Sequence, residues 1–282
     1  MAEIIDGKEL AKKVRKELKT EVNQLKEKGI NPKLAVIMVG NDPGSTVYVR
    51  NKSKACEKVG IEFEEFLFEE TISEEVLLET IERLNKDENV HGILLQCPVP
   101  KHIDVNKAFR AISPNKDVDG FNPVNVGNLT IGEDAFISCT PYGVVKMLEE
   151  YKIETEGKNA VILGRSNIVG KPMIQCMLNK NSTVTVCHSK TRDISEVIKR
   201  ADIVIAAIGR AKFVKADMVK DGAVVIDVGI NRLEDGSICG DVDYDEMFDK
   251  VSYITPVPGG VGPMTIAMLL NNVVKAAKLK LN

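Results

Sequence analysis

Ser45, Tyr48 and Lys52 stand at i, i+3 and i+7, a spacing that puts a hydroxyl, a phenol and an amine on one face of a helix. Such a face can move a proton, although a solvated lysine beside a half-buried tyrosine meets the same spacing. Gln96 closes the apolar run Val90–Leu95 and is followed by Pro98 and Pro100. A polar amide is thereby delivered at the C-terminal edge of a sheet, where α/β proteins bind ligands. The loop Asp117-Val118-Asp119-Gly120-Phe121-Asn122-Pro123 carries two carboxylates without any core pattern, and its plain reading is a turn. Near the end, Thr255-Pro256-Val257-Pro258-Gly259-Gly260-Val261-Gly262-Pro263-Met264-Thr265 has the composition of a linker. Its X-Pro steps and glycines nevertheless suit a shaped backbone better than a tether.

A second group of residues points to phosphate. The apolar run Ala160–Leu163 leads into Gly164-Arg165-Ser166-Asn167-Ile168-Val169-Gly170-Lys171-Pro172 and then a helical stretch, the strand–turn–helix setting that gives a glycine motif its meaning. Gly164 permits a tight turn and Gly170 close helix packing. Ser166 replaces the middle glycine of GxGxxG and offers a hydroxyl to a phosphate at the helix N-terminus. The alternative is a loop whose glycines only allow a turn. A dinucleotide fold that reads NAD usually has an acidic residue about 20 positions later for the ribose 2′-hydroxyl. Here the next strand ends in Cys187-His188-Ser189-Lys190-Thr191-Arg192. Hydroxyls and cations replace the carboxylate and Arg165 stands in the turn, so the residues favour NADP over NAD. A solvated basic surface is the alternative there.

The elements that must position these groups alternate in type. Leu10, Val14, Leu18, Val22 and Leu25 recur at helical spacing up to Gly29, which predicts an amphipathic helix with a glycine cap. The strand-like runs Leu34–Val39, Ile61–Phe68 and Val90–Leu95 are separated by helix-length segments near 45–59 and 73–86. A second series comprises Ala160–Leu163, Thr183–Cys187, Ile203–Ala207 and Val224–Val228, with helical stretches near 170–179, 193–200 and 215–220. The fold class is therefore α/β, built as two α/β domains with mostly parallel sheets. Residues 114–141 are rich in Pro, Asn and Gly and place the boundary near 140, with a helix Pro141–Tyr151 entering the second domain and a last helix over Pro263–Leu279.

Composition sets the outer limits. A chain of 282 residues has room for two domains. With 44% apolar residues and 38 Lys+Arg against 41 Asp+Glu, it reads as an ordinary globular protein, neither disordered nor a basic nucleic-acid binder. No apolar run approaches the ~18 to 20 residues of a membrane span. The charged N-terminus lacks a signal-peptide core, so a cytoplasmic location and no membrane partner are expected. The six cysteines form no CxxC pair, and His91, His102 and His188 form no HxxxH or HExxH pattern. Reduced, mostly buried thiols and no metal site follow.

Taken together, Tyr48-Val49-Arg50-Asn51-Lys52, Gly92-Ile93-Leu94-Leu95-Gln96-Cys97-Pro98, Asp117-Val118-Asp119-Gly120, Gly164-Arg165-Ser166 with Val169-Gly170, His188-Ser189-Lys190-Thr191 and the Pro258–Thr265 loop resemble the bifunctional methylenetetrahydrofolate dehydrogenase/methenyltetrahydrofolate cyclohydrolase family. The likeness runs in order along nearly the whole chain. It implies a folate-binding catalytic domain over 1–140, with the helix 263–282 packing back on it, and a Rossmann-type NADP-binding domain over 141–262. The two would flank a folate cleft, in a homodimer. Two reactions of one-carbon folate metabolism are implied: oxidation of 5,10-methylenetetrahydrofolate with NADP, then hydrolysis of the methenyl product to 10-formyltetrahydrofolate. Position by position, the resemblance makes Lys52 the lysine of the hydrolytic step, Tyr48 the ring that stacks on folate, Gln96 the amide that holds the lysine and Asp119 the carboxylate that grips the pterin. Ser45, Gly262, Pro263 and Thr265 complete the substrate set. Gly164, Arg165, Ser166, Gly170, His188, Ser189 and Ile230 form the cofactor set. A monofunctional dehydrogenase, a two-domain NADP dehydrogenase of the shikimate or amino-acid type and a non-catalytic dinucleotide sensor stay open as alternatives.

Overall fold

The computed structural model describes residues 1–281. In chain order the first half contains β1 (Glu3–Ile4), α1 (Gly7–Glu27), β2 (Lys33–Val39), α2 (Pro43–Val59), β3 (Glu62–Phe68), α3 (Glu74–Lys86), β4 (Gly92–Gln96), α4 (Val105–Ala111) and α5 (Pro123–Ile131). The second half contains α6 (Cys139–Glu150), β5 (Asn159–Leu163), α7 (Gly170–Leu178), β6 (Thr183–Cys187), α8 (Ile194–Ile198), β7 (Ile203–Ala206), β8 (Val224–Asp227), β9 (Asn231–Arg232), β10 (Ile238–Cys239), α9 (Tyr244–Met247), β11 (Tyr253–Ile254) and α10 (Val261–Lys278). These elements form two compact units, one of Lys13–Ile137 with the chain from Ile266 on, the other of Met1–Lys12 with Ser138–Thr265.

The first unit is built on a parallel sheet in the order β3-β2-β4. The central strand β2 reads Lys-Leu-Ala-Val-Ile-Met-Val, and its last six residues are all buried, as a parallel strand covered on both faces requires. Its register runs from Lys33 opposite Glu62 to Val39 opposite Phe68 on one side, and from Leu34 opposite Gly92 to Met38 opposite Gln96 on the other. Leu77, Ile81 and Leu84 of α3 close one face of the core against Ile37, Val39, Ile93 and Leu95. The start of α2 is set locally: Asp42 accepts a hydrogen bond from the Ser45 amide (2.7 Å) and Pro43 occupies the first turn. The buried Asn272 of α10 donates to the carbonyls of Val118 (2.8 Å) and Ile137 (3.0 Å).

The second unit has a six-stranded parallel sheet in the order β1-β11-β8-β7-β5-β6, beside the small antiparallel pair β9–β10. Its apolar strands pack on Met247, Val251 and Ile198. The first residues of the chain belong to this sheet, because Glu3 pairs with Tyr253 and Ile4 with Ile254. A boundary drawn from composition near 140 does not anticipate this, since a two-residue strand has no periodicity to read.

Other differences have equally local reasons. The stretch near 215–220 holds only the short 3₁₀ turn Ala216–Met218. Two short helices, α4 and α5, fill a region of weak periodicity; each starts from a polar cap, Asp104 or Asn122, of the kind also found in loops. Four of the six cysteines are buried, Cys239 is half-buried and Cys97 is exposed, and all are free thiols. Among the described residues no helix is long and apolar enough to cross a membrane, and no group of His, Cys, Asp and Glu side chains could hold a metal ion.

Candidate functional site

In the first unit, α2 carries Lys52 to the C-terminal end of β4. The Lys52 Nζ donates to Gln96 Oε1 (2.9 Å), and Gln96 Nε2 donates to the Cys97 carbonyl (2.7 Å). An ammonium only donates and a carbonyl only accepts, so a single orientation of the amide satisfies both neighbours. The Ser45 hydroxyl donates to the same Cys97 carbonyl (3.3 Å) from a buried position. Ser45 and Gln96 thus converge on one peptide group, to which Lys52 is linked through the Gln96 amide. Tyr48, on the same helical face, is 46% exposed, which leaves its ring open to a planar ligand.

Charge of both signs reaches this point. The thiol of Cys97, directed at the Leu95 carbonyl (3.9 Å), is pushed up to about 11 by desolvation and by the Asp119 carboxylate, while Lys52 acts in the opposite sense. The loop that brings Asp119 here is fixed by its neighbour. Buried Asp117 accepts from the amides of Phe121 (3.1 Å) and Asn122 (2.8 Å) and from Asn125 Nδ2 (2.9 Å). Burial raises the Asp117 carboxyl to about 6. The Ile93 amide of β4 donates to the Lys116 carbonyl (2.8 Å), which ties the loop to the sheet. Residue types alone give both carboxylates as turn residues; the family resemblance assigns a role to Asp119 and none to Asp117. The pair Asn122 and Asn125, donors shortly downstream of Asp117, was the available signal for the buried role.

In the second unit the β5–α7 turn forms a cradle. Gly164 has φ +114°, and a Cβ there would lie 2.2 Å from the Ala207 carbonyl oxygen; a Cβ on Gly170 would lie 2.4 Å from that of Gly164. Only glycine fits either position. The Ser166 hydroxyl oxygen accepts from the amides of Val169 and Gly170, both at 3.2 Å. It therefore caps the start of α7, and its own hydrogen is left to donate outward. The His188 amide donates to the Thr191 hydroxyl (2.9 Å) and the Lys190 amide to His188 Nδ1 (3.1 Å), which holds the ring with Nδ1 as acceptor.

A cavity of about 550 Å³ opens beside this turn, lined by Gly164, Arg165, Ser166, His188, Ser189 and Thr191 together with Ala207, Ile208, Arg210 and Phe213. The glycine cradle, the hydroxyls and the guanidinium groups fit a dinucleotide phosphate. Five residues of the expected cofactor set meet in this cavity. Gly170 lies behind it against Gly164, and Ile230 does not line it. Ile230 is exposed, and a Cβ on Gly262 would lie 4.0 Å from its Cδ1. Thr265, with Pro263 and Gly262 in the first turns of α10, has its hydroxyl 3.0 Å from that of Thr140.

Sequence reading missed Arg210 and Phe213, and with them the carboxylate that holds their loop. Asp241, fully buried, accepts from the amides of Ile208 (2.7 Å), Gly209 (3.0 Å) and Arg210 (2.8 Å) and from Asn231 Nδ2 (2.9 Å). Buried Asp227 in turn accepts from the amides of Gly229, Asp241 and Val242, each at 2.9 Å. Its carboxyl is raised to about 6, by desolvation first and by the Asp241 charge in addition. The one sequence signal for this pair is that Asp227 ends the apolar run of β8.

Comparison with known proteins agrees with both units. Residues 5–119 match the family model for the tetrahydrofolate dehydrogenase/cyclohydrolase catalytic domain, and residues 138–281 match that for the tetrahydrofolate dehydrogenase/cyclohydrolase NAD(P)-binding domain. The bifunctional protein FolD of Acetivibrio thermocellus is 57% identical over 279 residues, covering 99% of this chain and 98% of that protein. A crystal structure of the bifunctional enzyme FolD, methylenetetrahydrofolate dehydrogenase/cyclohydrolase, from Campylobacter jejuni superposes with a TM-score of 0.98 at 52% identity, covering 99% of this chain and 100% of that one. The Trypanosoma brucei enzyme, complexed with NADP cofactor and inhibitor, superposes with a TM-score of 0.95 at 38% identity, covering 100% of this chain and 99% of that one.

Proposed function

Because the chain belongs to the tetrahydrofolate dehydrogenase/cyclohydrolase family, we propose that it oxidises 5,10-methylenetetrahydrofolate with NADP and hydrolyses the resulting methenyl cation to 10-formyltetrahydrofolate. The observation that carries this reading is the Lys52–Gln96 hydrogen bond of 2.9 Å, an amine held in one orientation beside the exposed Tyr48 ring, in a chain that also has a dinucleotide cavity.

The oxidised carbon is flanked by two nitrogens whose lone pairs stabilise the developing cation, so this step asks the protein for positioning rather than for acid–base help. Bound NADP would supply the hydride acceptor. Gly164, Arg165, Ser166, His188 and Ser189 would hold it, with Arg165 meeting the 2′-phosphate that NAD lacks. Hydrolysis is different, because water must add to the cation and a proton must reach the departing nitrogen. Lys52 Nζ takes and returns that proton, a role worth roughly 10²- to 10⁴-fold in rate. Gln96 fixes where the amine stands. Ser45 supports the Cys97 peptide from behind. Tyr48 stacks on the folate and Asp119 accepts hydrogen bonds from donor groups of the pterin.

The direct test gives the purified protein 5,10-methylenetetrahydrofolate with NADP or with NAD, and follows reduced nicotinamide and the methenyl chromophore separately. Reduction of NADP without a lasting methenyl signal is expected. Accumulating methenyl product would remove the hydrolytic half of the proposal, equal rates with both cofactors would remove the NADP preference, and silence with both would leave a non-catalytic dinucleotide-binding protein. Lys52→Met is expected to slow methenyl hydrolysis by at least about 100-fold while NADP reduction continues. Full hydrolysis in that variant would refute the role of Lys52.

A further inference from the structure

We propose that Arg210 is a second cation of the dinucleotide cavity and that, together with Arg165, it recognises the phosphate monoester on the adenosine ribose. The proposal rests on the NADP reading and adds a residue that lies outside the glycine motif and the strand that follows it.

Three observations support it. Arg210 lines the same cavity as Arg165 and Ser189. Its guanidinium carbon lies 4.5 Å from the centroid of the Phe213 ring, another lining residue, and a guanidinium stacked on an aromatic face keeps its N–H fork in the plane, free for an anion. Finally, its backbone does not float with the side chain. The amides of Ile208, Gly209 and Arg210 all donate to the buried Asp241 carboxylate, at 2.7, 3.0 and 2.8 Å. A loop held in this way loses little freedom when a ligand arrives. Neither guanidinium is engaged by a carboxylate side chain among the described residues, so each can answer a ligand's charge. A phosphate monoester carries nearly two negative charges at neutral pH, which two guanidinium groups neutralise. A bare 2′-hydroxyl provides no such charge, and the discrimination follows from that difference.

The test uses two fragments that differ only in the phosphate, 2′,5′-ADP and 5′-AMP, titrated calorimetrically into the wild-type protein, Arg165→Ala and Arg210→Ala. The wild type is expected to prefer 2′,5′-ADP. Arg210→Ala is expected to lower the ratio of the two affinities by about tenfold, the size of one lost hydrogen bond to a charged group, and Arg210→Lys to recover part of it by restoring charge without the fork. An unchanged ratio in Arg210→Ala beside a lowered one in Arg165→Ala would overturn the assignment of Arg210 and leave the NADP reading intact. Absence of any preference in the wild type would overturn the NADP reading itself.

Discussion

Asp117 in the first unit and Asp241 in the second do similar work from different distances along the chain. Each is a buried carboxylate that collects backbone amides beside a parallel sheet, Asp117 next to Ile93 near the start of β4 and Asp241 at the loop after β7, and so holds the loop that presents a charged side chain, Asp119 in one unit and Arg210 in the other. The donors to Asp117 lie 4, 5 and 8 residues away. The backbone donors to Asp241 lie 31 to 33 residues away. A short-range clamp closes a turn, while a long-range clamp decides where one loop stands against another strand. The first can form as soon as its own segment is made. The second exists only after β7 and the segment following β10 have been brought together.

The largest expected effect tests this difference. Asp241→Ala strands three part-buried backbone donors and an asparagine amide, at a cost of roughly 3–4 kcal/mol, and hydrogen exchange at Ile208, Gly209 and Arg210 should accelerate. Asp117→Ala strands two amides and one side chain, costs roughly 2–3 kcal/mol and should accelerate exchange only at Phe121 and Asn122. Equal spread of the exchange effects in both variants would break the distinction between a remote and a local clamp.

Next in size, Gly164→Ala asks whether the second unit also depends on bare backbone proximity. The left-handed φ and the Cβ approach of 2.2 Å to the Ala207 carbonyl add to roughly 2–3 kcal/mol of strain. Dinucleotide binding should fall with the stability of this unit, measured by ligand titration and denaturant unfolding. A variant of wild-type stability that binds normally would show that the cradle has slack.

A pH dependence is shared by both units. Asp117 and Asp227 have carboxyls raised to about 6 from an ordinary value of 3.8, so the folded protein holds these protons more tightly than the unfolded chain. Their contribution is fully present below about pH 4, declines as pH rises towards 6 and is flat above it, on the order of 3 kcal/mol for each. Unfolding free energy measured from pH 4 to 7 should carry this downward slope. Asp117→Asn should remove about half of it, with Asp227 supplying the rest. A slope untouched by that substitution would assign the effect to other groups.

The difference between the two clamps also marks what could be read in advance. Strands β2, β5 and β7 announce themselves as apolar runs, because parallel strands are covered on both faces, and the edge strand β6 by its Thr-Val alternation. The face of Ser45, Tyr48 and Lys52 follows from helical spacing. Gln96 was legible as a polar residue at the end of a strand. The glycine cradle was legible because a steric need leaves its mark in residue type. Arg210 was not, since an arginine after a strand resembles any solvated arginine until Phe213 and Asp241 are seen around it. Asp117 and Asp227 were read as a turn residue and passed over, respectively, because an aspartate's type does not say whether its partners are water or backbone amides.

By itself, then, the amino-acid sequence determined the alternation of strands and helices, the positions of the glycine turn and the helical face, and through six spaced motifs the family. These depend on periodicity, capping and backbone sterics, which act over a few residues. Only the tertiary structure decided that the first residues join the second sheet, that Gln96 has its oxygen towards Lys52, and that Asp241 holds a loop more than thirty residues upstream. Each of those outcomes is a hydrogen bond between groups distant in the chain, and such a bond forms only once the fold has brought the two groups within reach of each other.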